Sequence, residues 1–596
     1  MRSSDLRVRG KKRRRLTFGL LGPAAGLALV GGWSAHLGLN VRDELQATRD
    51  ALVRLRASAP GQMAGALAEA QRHAAEARRL TSGPDWSLIT YSPLVGDGAT
   101  TVRGLAETAA ELTEVLTGVQ RTGEQLITAS GLSMDDMGNL LAVLKSAAPT
   151  LDDAVGRIGT ARSRLAATPA DTGLDVLDQA RGTALAEVDQ LHGWLGAAAD
   201  AAALLPPMLG HDGPRRYFLA FQTNAEARGT GGLVGAYGIL KATGGRLGID
   251  RLSAKNGLTS GSSPVADHGR AFLSRYGPSA LTLLANSNLS PHFPYAATTW
   301  AGLWKEQTRQ QLDGAIATDP VGLSHLLRLI GPVTLPGGEP VTADNVVGLT
   351  ERQAYARYAD PVARKRFLIT IAAAVSEALL RSHPDPMSLL STLSQMVDER
   401  RIQIWSRRDA EERRLADTPL GGALPRDPGP FAGLVINNSA GTKLDYYLDR
   451  SLAYELGPCR SDGQRVTKVR VRLKDDVPRR KLPSYVTTRL DSPDERHASG
   501  TNLLWVSLYA GTGAKYGGLR IDGEPAGIMR EVERSHPVYS TMLELAPRQS
   551  KTLEFVLLEP ASAAPPLVPV QPLARPQQTR IIRDDRGCPA PDAATR

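Results

Sequence analysis

The sequence predicts a multidomain α and β protein with an N-terminal transmembrane helix, an extracytoplasmic helical bundle, a central α/β domain and a C-terminal antiparallel β-sandwich. Three observations lead to this fold class. They are a charge-free apolar stretch near the N-terminus, a long region with apolar residues three and four apart, and later runs that alternate apolar and polar residues. A chain of 596 residues is too long for one ordinary core, so several structural units are expected.

The N-terminal 40 residues predict a membrane anchor. Residues 16–39 contain no Asp, Glu, Lys or Arg, and about 20 apolar residues suffice to cross a bilayer. Eight of residues 1–15 are Lys or Arg, a cluster that keeps the N-terminus in the cytoplasm. We therefore predict a basic cytoplasmic tail, a single-pass helix in the cell membrane and an extracytoplasmic bulk. The alternative is a cleaved signal peptide, but no small-residue cleavage site ends the run.

The charge and the cysteines restrict partners and compartment. The formal net charge is +10, and most of the excess lies in the basic tail, so the sequence predicts the membrane and not nucleic acid as a partner. The cysteines, Cys459 and Cys588, have no nearby thiol or His at metal-ligand spacing, which argues against a metal site. A disulfide between them and two free buried thiols both remain open.

Residues 41–205 are predicted to form the helical bundle. Leu112, Val119 and Val188 belong to seams with helical spacing, which pack one helix on another. Trp86 to Gly98 reads as a loop because of its Pro and Asp-Gly turn residues. The region serves either as a stalk or partner-docking bundle, or as an internal packing module.

Residues 206–450 show a mixed α/β pattern. Tyr217 to Phe221 and Leu233 to Leu240 predict a β-hairpin, and the charged stretch 222–229 between them predicts a loop. Asp319 before a proline predicts the N-cap of a helix that runs to Ile330. Short alternating runs in 451–560 predict the β-sandwich, and 561–596 predicts an extended Pro-rich tail.

Several segments of the central region resemble the bacterial family called domain of unknown function 4012, over about residues 206–450. They are FQTNAEARGTGGLVGAYGIL, FPYAA, LDGAIATDPVGLSHLLRLIGPV, DPVARKRF and TKLDYYLDR. This resemblance implies a fold and a topology but no activity.

The same region also resembles, more distantly, the LytR–CpsA–Psr phosphotransferases, which transfer glycans from polyprenyl-pyrophosphate carriers to the cell wall. Arg357 matches a Tyr-x-Arg element of that family, and Asp360 with Arg364 approximates an Asp-x-x-Arg element. The sequence departs at Ala359, where that family has a further arginine. The resemblance implies an LytR–CpsA–Psr-like central domain and activity on lipid-linked glycans.

Transfer from a pyrophosphate needs guanidinium groups that hold several oxygens, usually a divalent cation such as Mg²⁺, and a carboxylate to position it. We therefore consider Arg228, Arg357 and Arg364 as phosphate-binding residues, and Glu226 and Asp360 as catalytic residues. No metal ligands are assigned. The alternative is that these side chains form structural ion pairs and helix-end charges.

Two functional hypotheses follow. In the first, an envelope protein binds a polyprenyl-phosphate-linked or cell-wall glycan in the central domain and transfers it. In the second, a non-enzymatic envelope scaffold or receptor binds protein or polysaccharide. The sequence does not define the glycan, the cation or the oligomeric state.

Overall fold

The computed structural model describes residues 37–55, 62–130, 137–253, 258, 260–382, 384–426, 429–479, 481–492, 497–562 and 564–588. The chain divides into two compact units, one built on residues up to Leu205 and the other running from Pro206 to Asp592. Each unit has its own hydrophobic core.

The first unit is a helical bundle. It contains α1 (37–55), α2 (Met63–Ser82), α3 (Pro84–Thr90), α4 (Gly96–Ser130), α5 (Met137–Ala166) and α6 (Asp175–Met208). The predicted seam residues Leu112, Val119 and Val188 pack in one core with residues of α5. The loop predicted from Trp86 to Gly98 is shorter than expected, because Pro84 at the first helical turn starts α3.

The second unit begins with α/β layers. Its strands are β1 (Arg215–Arg228), β2 (Gly231–Thr243), β3 (Arg246–Ser253), β4 (Gly314–Thr318), β5 (Val333–Thr334), β6 (Pro340–Val341) and β7 (Ile402–Ser406). Its helices are α7 (Gly269–Tyr276), α8 (Ser279–Thr282), α9 (Phe293–Thr308), α10 (Pro320–Ile330), α11 (Val346–Gly348), α12 (Ala354–Arg357), α13 (Pro361–Arg381), α14 (Pro386–Asp398) and α15 (Asp409–Ala416).

The central sheet has the order β3-β2-β1-β4-β7. β1 pairs antiparallel with β2 and parallel with β4, and β4 pairs antiparallel with β7. One face packs on α9 through Phe218 and Trp300, and the other packs on α10 and α13 through Leu219 and Ile371. The sheet is therefore covered by helices on both faces.

The predicted hairpin is present, but its loop is not where we expected it. Residues 222–228 continue β1 through two bulges, one after Phe221 and one between Thr223 and Ala227. The physical reason is burial, because Ala225 and Ala227 are completely buried. The charged side chains of this stretch thus project from a strand.

The rest of the second unit is built from two facing sheets. They use β8 (Ala432–Asn438), β9 (Leu448–Cys459), β10 (Gln464–Asp475), β11 (Asn502–Ala510), β12 (Lys515–Ile521), β13 (Glu524–Pro525), β14 (Met529–Glu533), β15 (His536–Leu545), β16 (Ser550–Pro560) and β17 (Gln577–Arg583), with the short helix α16 (Ser484–Thr487). The sheet orders are β13-β12-β16-β10-β9-β17 and β14-β15-β11-β8. Alternating apolar residues of both sheets form one shared core.

Two boundaries of this region differ from the sequence prediction. β8 lies before residue 451 yet pairs with β11, so the sandwich takes a strand from the stretch assigned to the central domain. The Pro-rich tail contributes β17, which pairs parallel with β9. Cys459 and Cys588 form a disulfide bond near this strand pair.

The fold class requires a correction at the N-terminus. In the part of the chain that the structure describes, no helix is both long and apolar enough to cross a membrane. Most of the predicted transmembrane helix, residues 16–36, and the basic tail 1–15 lie outside the described residues. The last three residues of the predicted transmembrane helix, 37–39, belong to α1. There, Leu37 packs against the core around Trp86.

Candidate functional site

The predicted pair Glu226 and Arg228 lies at the end of β1 and is buried. Arg228 Nη2 donates to Glu226 Oε1 at 2.7 Å, and Lys443 Nζ donates to the other carboxylate oxygen. Burial alone would raise the pKa of Glu226, but Arg228 and Lys443 outweigh it and hold the pKa below its usual value. Glu226 is therefore an ionised partner of two cations.

All three guanidinium nitrogens of Arg228 donate hydrogen bonds within the protein. Its Nε donates to the Ala285 carbonyl at 3.0 Å and its Nη1 donates to the Ala227 carbonyl at 2.9 Å, in addition to the Glu226 bond. Each nitrogen thus has an acceptor within the protein. These bonds and the burial of the side chain favour a structural role for Arg228.

Arg364 at the start of α13 is also buried, and it binds aromatic rings. Its guanidinium carbon lies 3.9 Å from the ring centre of Tyr485 and 5.3 Å from that of Tyr355. Lys443 Nζ lies 5.6 Å from the same Tyr485 ring. Arg228 and Arg364 are therefore connected through a row of contacting side chains. The side chains between them are Glu226, Lys443 and Tyr485.

The other two predicted residues are exposed and have local roles. Asp360 is the N-cap of α13, where its carboxylate accepts from the Val362 and Ala363 amides at 3.1 and 3.0 Å. Those bonds hold the pKa of Asp360 below its usual value. Arg357 pairs with Glu339 at 2.6 Å, and Arg357 Nη2 also donates to Gln353.

A second polar group lies at the carboxyl ends of the parallel strands β1 and β4, the edge where α/β sheets commonly bind ligands. Asp319 follows β4 and caps α10 by accepting from the Gly322 amide at 2.8 Å. Arg401, just before β7, donates to Asp319 at 2.7 Å. The sequence predicts the cap, but Arg401 escapes sequence reasoning because it lies 82 residues further along the chain.

This ion pair extends outward through Glu399 and His325. Arg401 Nε lies 3.5 Å from Glu399 Oε2, which is 2.9 Å from His325 Nε2. Arg328 Nη1 lies 3.1 Å from His325 Nδ1. Arg328 can only donate, so Nδ1 accepts and the ring proton lies on Nε2, facing Glu399. Burial alone would raise the pKa of Glu399, but bonds from His325 and Gln395 hold it lower.

This chain of charges ends in an open groove of about 730 Å³ between α10 and α14. Arg328 lines one side, while hydroxyl and amide side chains line the other. The lining residues are His325, Arg328, Leu329, Pro384, Asp385, Ser388, Ser391, Thr392 and Gln395. Asp385 caps α14 and accepts from both Ser388 nitrogen and oxygen, at 2.9 and 3.0 Å, so its carboxylate is already engaged.

Arg328 differs from Arg228 in having free donors. It is exposed, and among the described residues its one hydrogen-bonding partner is His325, through Nη1. Nε and Nη2 therefore remain available to a ligand.

As for a metal, the described residues include no group of three or more His, Cys, Asp or Glu side chains able to hold one.

The comparisons with known proteins agree with one part of the sequence analysis. Residues 212–355 match the family described as Protein of unknown function (DUF4012). No curated protein and no solved structure matches the chain. The resemblance to the LytR–CpsA–Psr phosphotransferases thus has no counterpart among these matches. Over residues 212–355, which include β1, β4 and the whole of α10, the chain belongs to the DUF4012 family.

Proposed function

We propose that this protein is a non-enzymatic receptor of the cell envelope that binds an acidic glycan in the groove between α10 and α14. The observation that carries the proposal is Arg328, an exposed guanidinium with two free donor nitrogens beside a row of hydroxyl groups. A guanidinium donates well to carboxylate or phosphate oxygens. Ser388 and Thr392 already donate to Asp385 and to the Ser388 carbonyl, so their hydroxyl oxygens can accept from sugar hydroxyls.

The shape of the groove suits an extended polymer better than a small substrate. The groove is open to solvent, and its polar residues Ser388, Ser391, Thr392 and Gln395 come from successive turns of α14. An open polar surface can hold several sugar units without enclosing any of them. Catalysis of a transfer reaction commonly requires a site that excludes water, and this open groove does not exclude it.

The predicted phosphotransferase residues favour a structural role. The Arg228 donors are used within the protein, Arg364 is covered by Tyr485 and Tyr355, and Asp360 caps a helix. A phosphate-binding set needs guanidinium donors that face the substrate. Those residues support the packing of the second unit instead.

The cell-envelope assignment is supported by the bond between Cys459 and Cys588. Disulfides form and persist outside the reducing cytoplasm. The bond joins residues 129 positions apart, so it restricts a large loop of the unfolded chain. An extracytoplasmic receptor gains stability from such a link.

Calorimetric titration of the full chain tests the proposal. The probes are an oligogalacturonate, which carries one carboxylate per sugar, and a neutral maltooligosaccharide of equal length. We expect the acidic probe to bind, and Arg328→Gln to weaken it about tenfold because one charge-assisted contact is lost. Ser391→Trp should block the groove. The matched control Arg472→Gln, an exposed arginine of β10, should bind as the wild type does.

Two results would reject the proposal. One is equal affinity for the acidic and neutral probes, or for neither, in the wild type. The other is unchanged affinity in both groove variants. Binding of undecaprenyl phosphate that is lost in Arg364→Ala would favour the phosphotransferase hypothesis instead.

A further inference from the structure

One end of the helical bundle exposes an unusual number of large apolar side chains. In α3 and the turn before α4, Leu88 is 74% exposed, Tyr91 is 86% exposed and Leu94 is 90% exposed. Leu174, just before α6, is 51% exposed, and Val176, in the first turn of α6, is 73% exposed. Single exposed apolar residues are common, but a cluster of this kind indicates a contact surface.

These residues lie at the same end of the bundle. A Cβ on Gly98, in the first turn of α4, would lie 3.8 Å from Leu174, so the two loops are neighbours. Leu88 precedes Ile89, which packs on the core around Trp86 and Ala99. We call the five residues Leu88, Tyr91, Leu94, Leu174 and Val176 the apolar end.

The described part of the chain begins near these residues, with the first turn of α1. Leu37 and Val41 of α1 pack on Trp86 and Ala99, directly beneath the α3–α4 turn. The 21 residues before Leu37, 16–36, include no Asp, Glu, Lys or Arg, and a strongly basic stretch precedes them. In sequence, the charge-free stretch therefore ends directly before the helix that packs beneath the apolar end.

We propose that the apolar end is seated in the interfacial layer of a phospholipid bilayer. Exposed leucine and valine side chains gain by transfer from water to the acyl boundary. Tyr91 presents a ring with a polar hydroxyl, the kind of side chain enriched at membrane–water interfaces. The surface lies in the first unit and is independent of the glycan groove in the second.

The charges near the apolar end distinguish this contact from electrostatic binding. Asp97 stands in the first turn of α4, and Asp175 and Asp178 stand in the first turn of α6. Arg79 in the last turn of α2 and Arg103, which donates to the Thr81 carbonyl, lie at the same end, so the charges here are of both signs. We therefore expect the contact to depend on apolar burial and to form on zwitterionic phosphatidylcholine.

A spin label reports the depth of the apolar end directly. The chain has two cysteines and both are in the disulfide, so a single introduced cysteine is labelled selectively. Full-length Leu94→Cys is compared with Val53→Cys, an exposed position about 24 Å further along α1 from Leu37. Both are reconstituted with phosphatidylcholine vesicles, and relaxation by oxygen and by a water-soluble nickel chelate is measured.

We expect the label at 94 to be reached by oxygen and shielded from nickel, and the label at 53 to be reached by nickel. Replacing Leu88 and Tyr91 by serine should return the label at 94 to water. Nickel access at 94 equal to that at 53 would overturn the proposal, as would failure of the chain to associate with vesicles. Shielding at 94 from both agents without vesicles would also overturn it, in favour of cover by residues 16–36 or by a second copy.

Discussion

Glu351 is a carboxylate held in the interior beside the carboxyl end of β1. Its Oε2 accepts from Thr223 Oγ1 at 2.8 Å and from the Ala225 amide at 2.6 Å, while Oε1 has no hydrogen-bond partner among the described residues. It belongs to a π-helical turn, Leu349–Gln353, a geometry that proteins often use at functional positions. Burial raises the pKa of Glu351 to about 7.

This pKa makes the stability of the second unit depend on pH. The folded state holds the Glu351 proton up to about pH 7, whereas an unperturbed glutamate has a pKa of 4.5. The folded-state pKa is raised, so its contribution is fully present below the unfolded pKa and is lost as pH rises through the folded pKa. We expect the free energy of unfolding to fall by about 3 kcal/mol from this residue between pH 4.5 and 7.5.

The variant Glu351→Gln keeps an oxygen acceptor at this position and removes the ionisation. Its free energy of unfolding should therefore change less with pH than that of the wild type, by about 3 kcal/mol over the same range. Urea unfolding followed by tryptophan fluorescence at several pH values measures the difference. The control Glu377→Gln changes an exposed glutamate of α13 and should leave the wild-type slope unchanged. Parallel slopes for the wild type and Glu351→Gln would contradict the prediction.

Among the elements, α13 shows how a predicted catalytic carboxylate can instead define a helix end. Asp360 accepts two amides at the first turn, and Pro361 follows it at the first helical position. We expect Asp360→Ala to destabilise the protein by about 1 kcal/mol, and Asp360→Asn by less, because an asparagine oxygen can still cap the helix.

Denaturant unfolding of both variants, together with probe binding, separates the two roles. A cap is restored by asparagine, whereas a catalytic or metal-positioning carboxylate is not. If Asp360→Asn and Asp360→Ala lost ligand binding equally while keeping wild-type stability, Asp360 would contact the ligand.

The elements also show what the sequence could predict. The α10 boundaries follow from local chemistry, with Asp319 as the cap and Gly331 at positive φ after the last turn. The continuation of β1 beyond Phe221 could not be predicted from the sequence, because residues distant in the chain bury its alanines. Ala225, for example, packs in one cluster with Leu444. β17 was missed for a similar reason, since its partner β9 lies more than 100 residues away.

The candidate site, too, could be predicted from the sequence only in part. The sequence suggests Glu226 and Arg228 as an ion pair in a loop, and the structure forms that pair on a strand. Whether a guanidinium is free depends on tertiary neighbours, such as the Ala285 carbonyl that occupies Arg228 Nε. Arg328 lies in one of the segments that resemble DUF4012, but its availability to a ligand follows only from the arrangement of α10 and α14.

At the scale of the whole second unit, one extended stretch of the C-terminal region connects the central sheet with the sandwich. Gln571 Nε2 donates to the carbonyls of Arg228 and Ile436, both at 2.7 Å, and its Oε1 accepts from the Ile436 amide at 2.9 Å. Next to it, the Pro572 carbonyl accepts from Asn224, and the Leu573 carbonyl accepts from Arg401. One side chain and two carbonyls thus bind the end of β1, the start of β7 and β8 together.

Because both sheets bind the same buried residues, they should lose stability together when that connection is weakened. Gln571→Ala leaves the Arg228 carbonyl and both polar groups of Ile436 without these partners, and we expect it to lower the free energy of unfolding by roughly 2–4 kcal/mol. Hydrogen–deuterium exchange should then accelerate in β4 of the central sheet and in β11 of the sandwich. Gln578→Ala, at an exposed position of β17, is the matched control and should change neither. Acceleration confined to β11 would mean that the two sheets open independently, with the segment around Gln571 belonging to the sandwich alone.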